Sequence, residues 1–346
     1  MAAQVREGGL KMQNDMNQAL VGIVVIGRNE GERLKTCLES VQKFGFPIAY
    51  VDSGSTDQSV QLARQYVSCV HQLDRSSPFS AARARNEGFD VLTQKFPNIQ
   101  YVQFVDGDCV VAPSWFDGAL AAFNKNPALA LVLGHRKELK PELTIYNHLA
   151  AMEWNSPVGE LTNFGCLIGS FLIKVAVFRA MHGFKTNVIA GEDSELGVRM
   201  CLAGYKMKKI DCHMETHDAN MLKFSQWWSR AVRAGHAIGQ RAFINGKTTV
   251  KDCVKERKST LIWGIAMPIL WLILLIIKPI LSVFILMLYG ILGLKVHLYC
   301  LKLGMSTKDA LTYTFFIVVG KLANGIGLLK FYMNTLKKQY VLIEYK

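Results

Sequence analysis

The sequence lacks the short signatures of several protein classes. Its eight cysteines include no CxxC pair. Neither a zinc site nor a disulfide framework is indicated, and they read as small buried apolar residues in a reducing compartment. There is no Gly-x-Gly-x-x-Gly and no Gly-x-x-x-x-Gly-Lys-Ser/Thr, which argues against a dinucleotide fold and a P-loop. Zinc-finger and RNP patterns are also missing, so nucleic acid is not an expected partner. No apolar stretch precedes Leu20, where Arg6, Glu7, Lys11 and Asp15 lie. No secretory signal is expected, and the first 250 residues are expected to stay in the cytoplasm.

Acidic residues are scarce in one region only. The net charge is +13, yet residues 1–130 hold 12 Lys and Arg against 13 Asp and Glu, and residues 131–220 hold 10 against 10. Residues 221–346 hold 18 against 4. Basic groups that flank apolar segments suit an anionic membrane surface. Between Lys258 and Lys295 the only charge is Lys278. One helix over 261–294 would reach ~51 Å at ~1.5 Å per residue, well past a hydrocarbon core of ~30 Å. Lys278-Pro279 is a natural turn, which predicts helices near 259–277 and 280–300 as a transmembrane or re-entrant hairpin. Lys247, Lys251, Lys255, Arg257 and Lys258 on entry, and Lys295, Lys302 and Lys308 on return, place both ends on the cytoplasmic side. The apolar stretch 310–330 is interrupted by Lys321, Asn324 and three glycines and reads as an interfacial third segment, with a crossing as the alternative.

The first two thirds alternate strand, loop and helix. The apolar run Leu20–Ile26 reads as a parallel strand covered on both faces, and 31–43 as a helix with Leu34, Cys37, Leu38 and Val41 on one side. Strands over 48–51 and 101–105 end at Asp52-Ser-Gly-Ser-Thr-Asp57 and Asp106-Gly-Asp108. Helices near 116–124, 192–204 and 221–246 and strands over 128–133 and 165–173 follow. Residues 141–160 resist assignment. The pattern is that of an α/β domain with its ligand crevice outside the carboxyl ends of the strands.

The polar loops carry the chemistry. Asp106 and Asp108, one glycine apart at a strand end, can face one small volume and suit a hard divalent ion with its phosphates; such a pair also occurs as a solvated turn. Asp52, Ser53 and Asp57 can bond a base, a ribose or their own backbone. Glu192-Asp193 opens a helix, where the macrodipole favours ionised carboxylates, and Asp193 is a candidate general base. His217 is a candidate ligand beside Asp108, or a satisfied structural histidine. Arg230 and Arg233 share a helical face and could clamp a pyrophosphate or touch lipid headgroups.

Six pieces in order, Val24-Val-Ile-Gly-Arg-Asn-Glu-Gly-Glu-Arg-Leu34, Val51–Asp57, Ala82-Arg-Ala-Arg-Asn-Glu-Gly88, Phe104–Cys109, Gly191–Leu196 and Gln226–His236, resemble the family 2 glycosyltransferases of GT-A fold. The similarity is to bacterial membrane-attached members used in exopolysaccharide, capsule or lipopolysaccharide assembly. It implies an α/β fold with a mostly parallel mixed sheet between helices and a C-terminal helical membrane region. The corresponding division is a polar lead-in over 1–19, a catalytic domain over 20–220, basic interface helices over 221–258, a hairpin over 259–300, and a third apolar segment with a basic tail over 301–346.

The resemblance also implies roles. Asp52 would recognise the base of a nucleotide-sugar, Arg85 and Asn86 would approach the nucleotide, and Asp106 would contact ribose or ion. Asp108, with His217, would hold Mg²⁺ or Mn²⁺, and Asp193 would activate an acceptor hydroxyl. Arg230 and Arg233 would meet the diphosphate, while Arg136, Glu153, Trp154 and Glu192 would lie on the acceptor or donor side. Processive synthases carry Gln-x-x-Arg-Trp, whereas here Gln226 is followed by Trp-Trp-Ser-Arg230, which fits single transfer better than polymer export. The implied activity is inverting transfer from a nucleoside-diphosphate sugar, a UDP-sugar foremost, to a hydroxyl of a lipid-linked or membrane-associated glycan at the inner membrane, on its cytoplasmic face. A polyprenyl-phosphate acceptor and a catalytically silent membrane scaffold are the alternatives.

Overall fold

The computed structural model describes residues 20–67, 69–162 and 164–337; the polar lead-in 1–19 and the tail from 338 lie outside the described residues. The elements are β1 (Val21–Gly27), α1 (Glu32–Gln42), β2 (Ile48–Asp52), α2 (Ser59–Tyr66), β3 (Cys69–Gln72), α3 (Ala81–Lys95), β4 (Tyr101–Asp106), β5 (Cys109–Val111) and α4 (Trp115–Lys125). Then come β6 (Leu129–Glu138), α5 (Ile145–Glu153), β7 (Gly159–Glu160), β8 (Phe171–Lys174), α6 (Val175–Ala180), α7 (Glu192–Leu202), β9 (Lys206–His217) and α8 (Phe224–Asn245). Three long helices end the described chain: α9 (Val254–Ile277), α10 (Pro279–Lys302) and α11 (Thr307–Lys337).

The chain forms two units. Among the described residues, one comprises the chain up to Lys140 with Ala150–Thr186 and Glu192–Ala219, the other Pro141–Leu149, Asn187–Gly191 and the chain from Asn220 onward. In the first, the described strands make one nine-stranded mixed sheet in the order β3-β2-β1-β4-β8-β6-β9-β5, with β7 on β9. β1 runs parallel between β2 and β4, which buries both of its faces and explains its unbroken apolar sequence. Its partners end level with it: Gly27 stands opposite Asp52 and Ile26 opposite Asp106. The two acidic loops therefore leave the sheet on the same edge.

Several elements differ from the sequence reading. Tyr101–Asp106 is the fourth strand, because the short polar β3 has only β2 as a neighbour and needs no apolar run. The predicted strand over 165–173 is a 3₁₀ turn at Phe164–Cys166 followed by β8 alone. Residues 141–160 hold α5 and β7. The largest omission is β9, a lysine-rich twelve-residue strand. It is paired parallel to β6 and antiparallel to β5 and β7, so its place comes from its neighbours and not from its own hydropathy.

In the second unit, α9, α10 and α11 are each long and apolar enough to cross a membrane. The break falls at Lys278, and Pro279 opens α10, where its missing N–H costs nothing. Ile276 and Ile280, beside that break, are 83% and 82% exposed. The segment read as interfacial is one helix that also meets the length and composition of a crossing. α8 packs on α11, with Trp227 edge-on to Phe316 at 4.8 Å, and Gly327 lets its backbone approach the Val232 carbonyl so closely that a Cβ would collide with it.

Candidate active site

The site grows from the turn between β4 and β5. Gly107 N–H donates to the Ile26 carbonyl at 2.8 Å, which turns the chain sharply at the end of β4. β5 then pairs antiparallel with the end of β9, Cys109 opposite His217, and Asp218 N–H donates to the Asp108 carbonyl at 3.2 Å. This pairing brings His217 Nε2 to 3.4 Å from Asp108 Oδ1.

Ligand atoms of Asp108, Cys109 and His217 all lie within 4.8 Å of one another. Cys109 is fully buried and its thiol points at Asp108 Oδ1 at 3.8 Å. Burial, with Glu215 nearby, pushes that thiol well above its ordinary pKa, and soft sulfur does not suit a hard divalent ion such as Mg²⁺ or Mn²⁺. The fitting pair is carboxylate and imidazole. Oxygen ligands suit Mg²⁺ and Mn²⁺ alike, and the added nitrogen favours Mn²⁺.

Beside that pair runs a chain of alternating charge. Arg85 Nη1 donates to Glu192 Oε1 and Arg85 Nη2 to Asp106 Oδ1, both at 2.7 Å. Arg136 Nη2 lies 3.6 Å from Asp106 Oδ2, and Arg136 Nε donates to Glu215 Oε1 at 2.6 Å. The order is Glu192, Arg85, Asp106, Arg136, Glu215. Burial alone would raise the Asp106 carboxyl, but the two guanidinium groups outweigh it and hold the pKa below the usual carboxylate range. Burial dominates at Glu215, which is raised despite Arg136. Arg136 also donates to Ser170 Oγ at 2.9 Å, and its guanidinium lies over Trp154, 5.6 Å from the ring centroid. Trp154 in turn meets His217 edge-on at 4.8 Å.

The structure thus gathers Asp106, Asp108, His217, Arg136, Trp154, Arg85 and Glu192. Asp193 follows Glu192 in the first turn of α7, half-buried, its Oδ1 accepting from Ser194 N–H at 2.6 Å. The other residues singled out in the sequence are placed as follows. Asp52, expected against the base, is 1% exposed. Its carboxylate accepts from Gly54 N–H, Ser55 N–H, Ser55 Oγ and Tyr50 OH at 3.0, 2.8, 2.5 and 3.2 Å. It shapes its own loop. Arg85 and Asn86, expected against the nucleotide, have their polar groups engaged by the protein. Glu153 is exposed at the end of α5. Arg230 and Arg233 lie on α8 in the second unit, where Arg233 Nη2 donates to the Ile189 carbonyl at 3.4 Å. His213 bonds the Glu215 carbonyl and Thr216 Oγ1, a local structural role.

The sequence reading missed Glu215, Ser170 and Glu138. Glu138 accepts from Lys140 and Ala219 N–H and so holds the chain that follows His217. Glu215 was legible in principle: on a strand, residues two apart share a face, and 215 and 217 do so once β9 is recognised.

Residues 22–185 match the family model Glycosyl transferase family 2. These residues are therefore similar to family 2 glycosyltransferases, and the α/β unit has a GT-A-like fold followed by apolar helices consistent with a membrane region. Among curated relatives, an uncharacterized glycosyltransferase YibD of Escherichia coli (strain K12) is 33% identical over 115 residues. That match spans 31% of this chain and only 30% of the relative's length. Glycosyltransferase AglE of Haloferax volcanii is 22% identical over 219 residues, 59% of this chain and 69% of its own. Among solved structures, the mannosyltransferase PcManGT from Pyrobaculum calidifontis, in complex with GDP-Man and Mn²⁺, aligns with a TM-score of 0.57 at 17% identity. The alignment covers 89% of this chain and 86% of that one.

Proposed function

We propose that the protein is an inverting, divalent-metal-dependent glycosyltransferase. It moves one sugar from a nucleoside-diphosphate sugar, a UDP-sugar foremost, to a hydroxyl of a lipid-linked or membrane-associated glycan in cell-surface polysaccharide assembly. The observation that carries this reading is the buried Asp108–His217 pair beside the Glu192–Arg85–Asp106–Arg136–Glu215 chain, within a sheet whose residues 22–185 match the family 2 model.

Asp108 and His217 would hold the ion, which when bound neutralises the diphosphate and eases its departure. Asp193 takes the proton of the acceptor hydroxyl, whose oxygen attacks the anomeric carbon opposite the leaving nucleoside diphosphate. One displacement inverts that centre. The buried arginines keep Asp106 ionised at neutral pH, and Asp52 supports the loop on which the donor's nucleoside rests. Arg230 and Arg233 are further candidates for anionic groups of donor or lipid. The basic residues 247–258 that precede the apolar stretch of α9 favour anionic lipids and a catalytic unit on the cytoplasmic face of a bacterial inner membrane.

Membranes from cells producing the full chain, incubated with a panel of radiolabelled nucleotide-sugars with Mn²⁺ or with EDTA, test the reading. The expected result is Mn²⁺-dependent incorporation from one donor into a lipid or glycan fraction. No incorporation from any donor, at any metal, would overturn it.

A further inference from the structure

Arg85 and Asn86 are neighbours on α3, and both side chains reach the same stretch of chain. Asn86 Nδ2 donates to the Phe184 carbonyl at 2.8 Å, and Asn86 Oδ1 accepts from Phe184 N–H at 2.9 Å. The amide thereby takes both backbone groups of one residue. Arg85 reaches Glu192 on the far side of the same stretch while holding Asp106. The residue is 3% exposed; its guanidinium lies 5.6 Å from the Phe184 ring centroid and is pressed by Gly169, where a Cβ would collide with Nη2. Burial would lower its pKa, but Asp106 and Glu192 raise it above the ordinary value. A donor phosphate would find this cation enclosed and already bridged.

The chain on either side of Phe184 is fastened too. Arg199 on α7 donates to the Gly183 carbonyl at 2.8 Å and to that of Met181, and Lys185 pairs with Glu195 at 2.8 Å. Gly183 has φ +65 and a Cβ there would fall 2.5 Å from Asn86 Oδ1, so the clamp needs glycine at that position. Phe184 itself sits among Phe104, Phe171 and Phe178 at 5.3, 6.1 and 5.3 Å.

We propose that Arg85 and Asn86 are positioning residues, not donor ligands: together they clamp Phe184 and Glu192 and so fix where Asp193 presents its carboxylate. This rests on the reading of Asp193 as the base. It assigns the Ala-Arg-Asn piece of α3 to the acceptor-activating side of the reaction. A misplacement of about 1 Å costs on the order of 10²-fold in rate, so the clamp acts on kcat and leaves nucleotide binding alone.

The test uses the full chain in detergent with Asn86→Ala, Asn86→Asp and Arg85→Lys. UDP and GDP affinity are measured calorimetrically with Mn²⁺, kcat and donor KM in the membrane assay, and backbone hydrogen exchange over 183–193. Expected are nucleotide affinity and donor KM within about threefold of native and kcat lower by roughly 10²-fold in Asn86→Ala. Asn86→Asp, which still accepts from Phe184 N–H but cannot donate, should fall between the two. Exchange over 183–193 should quicken in both Asn86 variants. If Asn86→Ala does not fold, the other two variants carry the same comparison. A tenfold or greater loss of nucleotide affinity in Arg85→Lys, or unchanged exchange in the Asn86 variants, would overturn the clamp. If the native protein transfers no sugar, the functional reading fails by itself, and exchange with nucleotide affinity still decides the clamp.

Discussion

The His217 imidazole lies 3.4 Å from the Asp108 carboxylate because Cys109 and His217 face one another across the antiparallel β5–β9 pair. One strand register therefore completes the proposed ion site.

Nucleotide binding should depend on that pair. Calorimetric titration of UDP into the native protein should show affinity that rises when Mn²⁺ is added. Asp108→Ala and His217→Ala should bind UDP equally with and without the metal. Cys109→Ser should keep the native response, since soft sulfur does not suit Mg²⁺ or Mn²⁺; loss of metal dependence in that variant would put sulfur in the ligand set.

Asp193→Asn should bind nucleotide and Mn²⁺ as the native enzyme does while turnover falls by ~10²–10⁴, the usual cost of a missing proton acceptor. Initial rates on the identified donor and acceptor decide it. Near-native turnover would point to an acceptor that needs no base, such as a polyprenyl phosphate.

Glu215 is fully buried against Arg136. Removing one member of such a pair strands a buried charge, so Glu215→Ala should lose about 3–5 kcal/mol of stability. Arg136→Met combined with Glu215→Met should regain much of it. Thermal melts of Arg136→Met, Glu215→Met and the double variant measure the coupling; an additive double variant would show that the pair acts independently.

His236 on α8 is 1% exposed, and burial, with Lys330 adding to it, lowers its pKa from 6.5 to about 4. The unfolded chain then binds a proton that the fold refuses. The contribution of neutral His236 is complete above pH 6.5 and is lost as pH falls toward about 4, at most about 3 kcal/mol in all. Denaturation midpoints across that window should fall with pH in the native protein and fall less steeply in His236→Gln.

Legibility followed burial. β1, β2 and β4 are apolar because both of their faces are covered, so their ends, and with them Asp52, Asp106 and Asp108, could be placed from sequence. The break at Lys278-Pro279 was equally plain, since a charge and a proline stand in an otherwise uncharged stretch. β9 was not legible. Exposed Lys206 and Lys208, with the buried Lys209, disguise a strand whose place is settled by β6 and β5, and Glu215 stayed hidden with it.

The sequence by itself determined a family 2-like α/β domain, its acidic strand ends, and a basic, apolar C-terminal third, because those features are written in local runs and spacings. Only the tertiary structure decided which groups meet. It set His217 against Asp108 through strand pairing, and it closed Arg85 between Asp106 and Glu192. A local sequence states which charges a chain carries; whether a buried guanidinium faces a ligand or two carboxylates depends on what distant segments bring beside it, since a buried charge must be matched at close range.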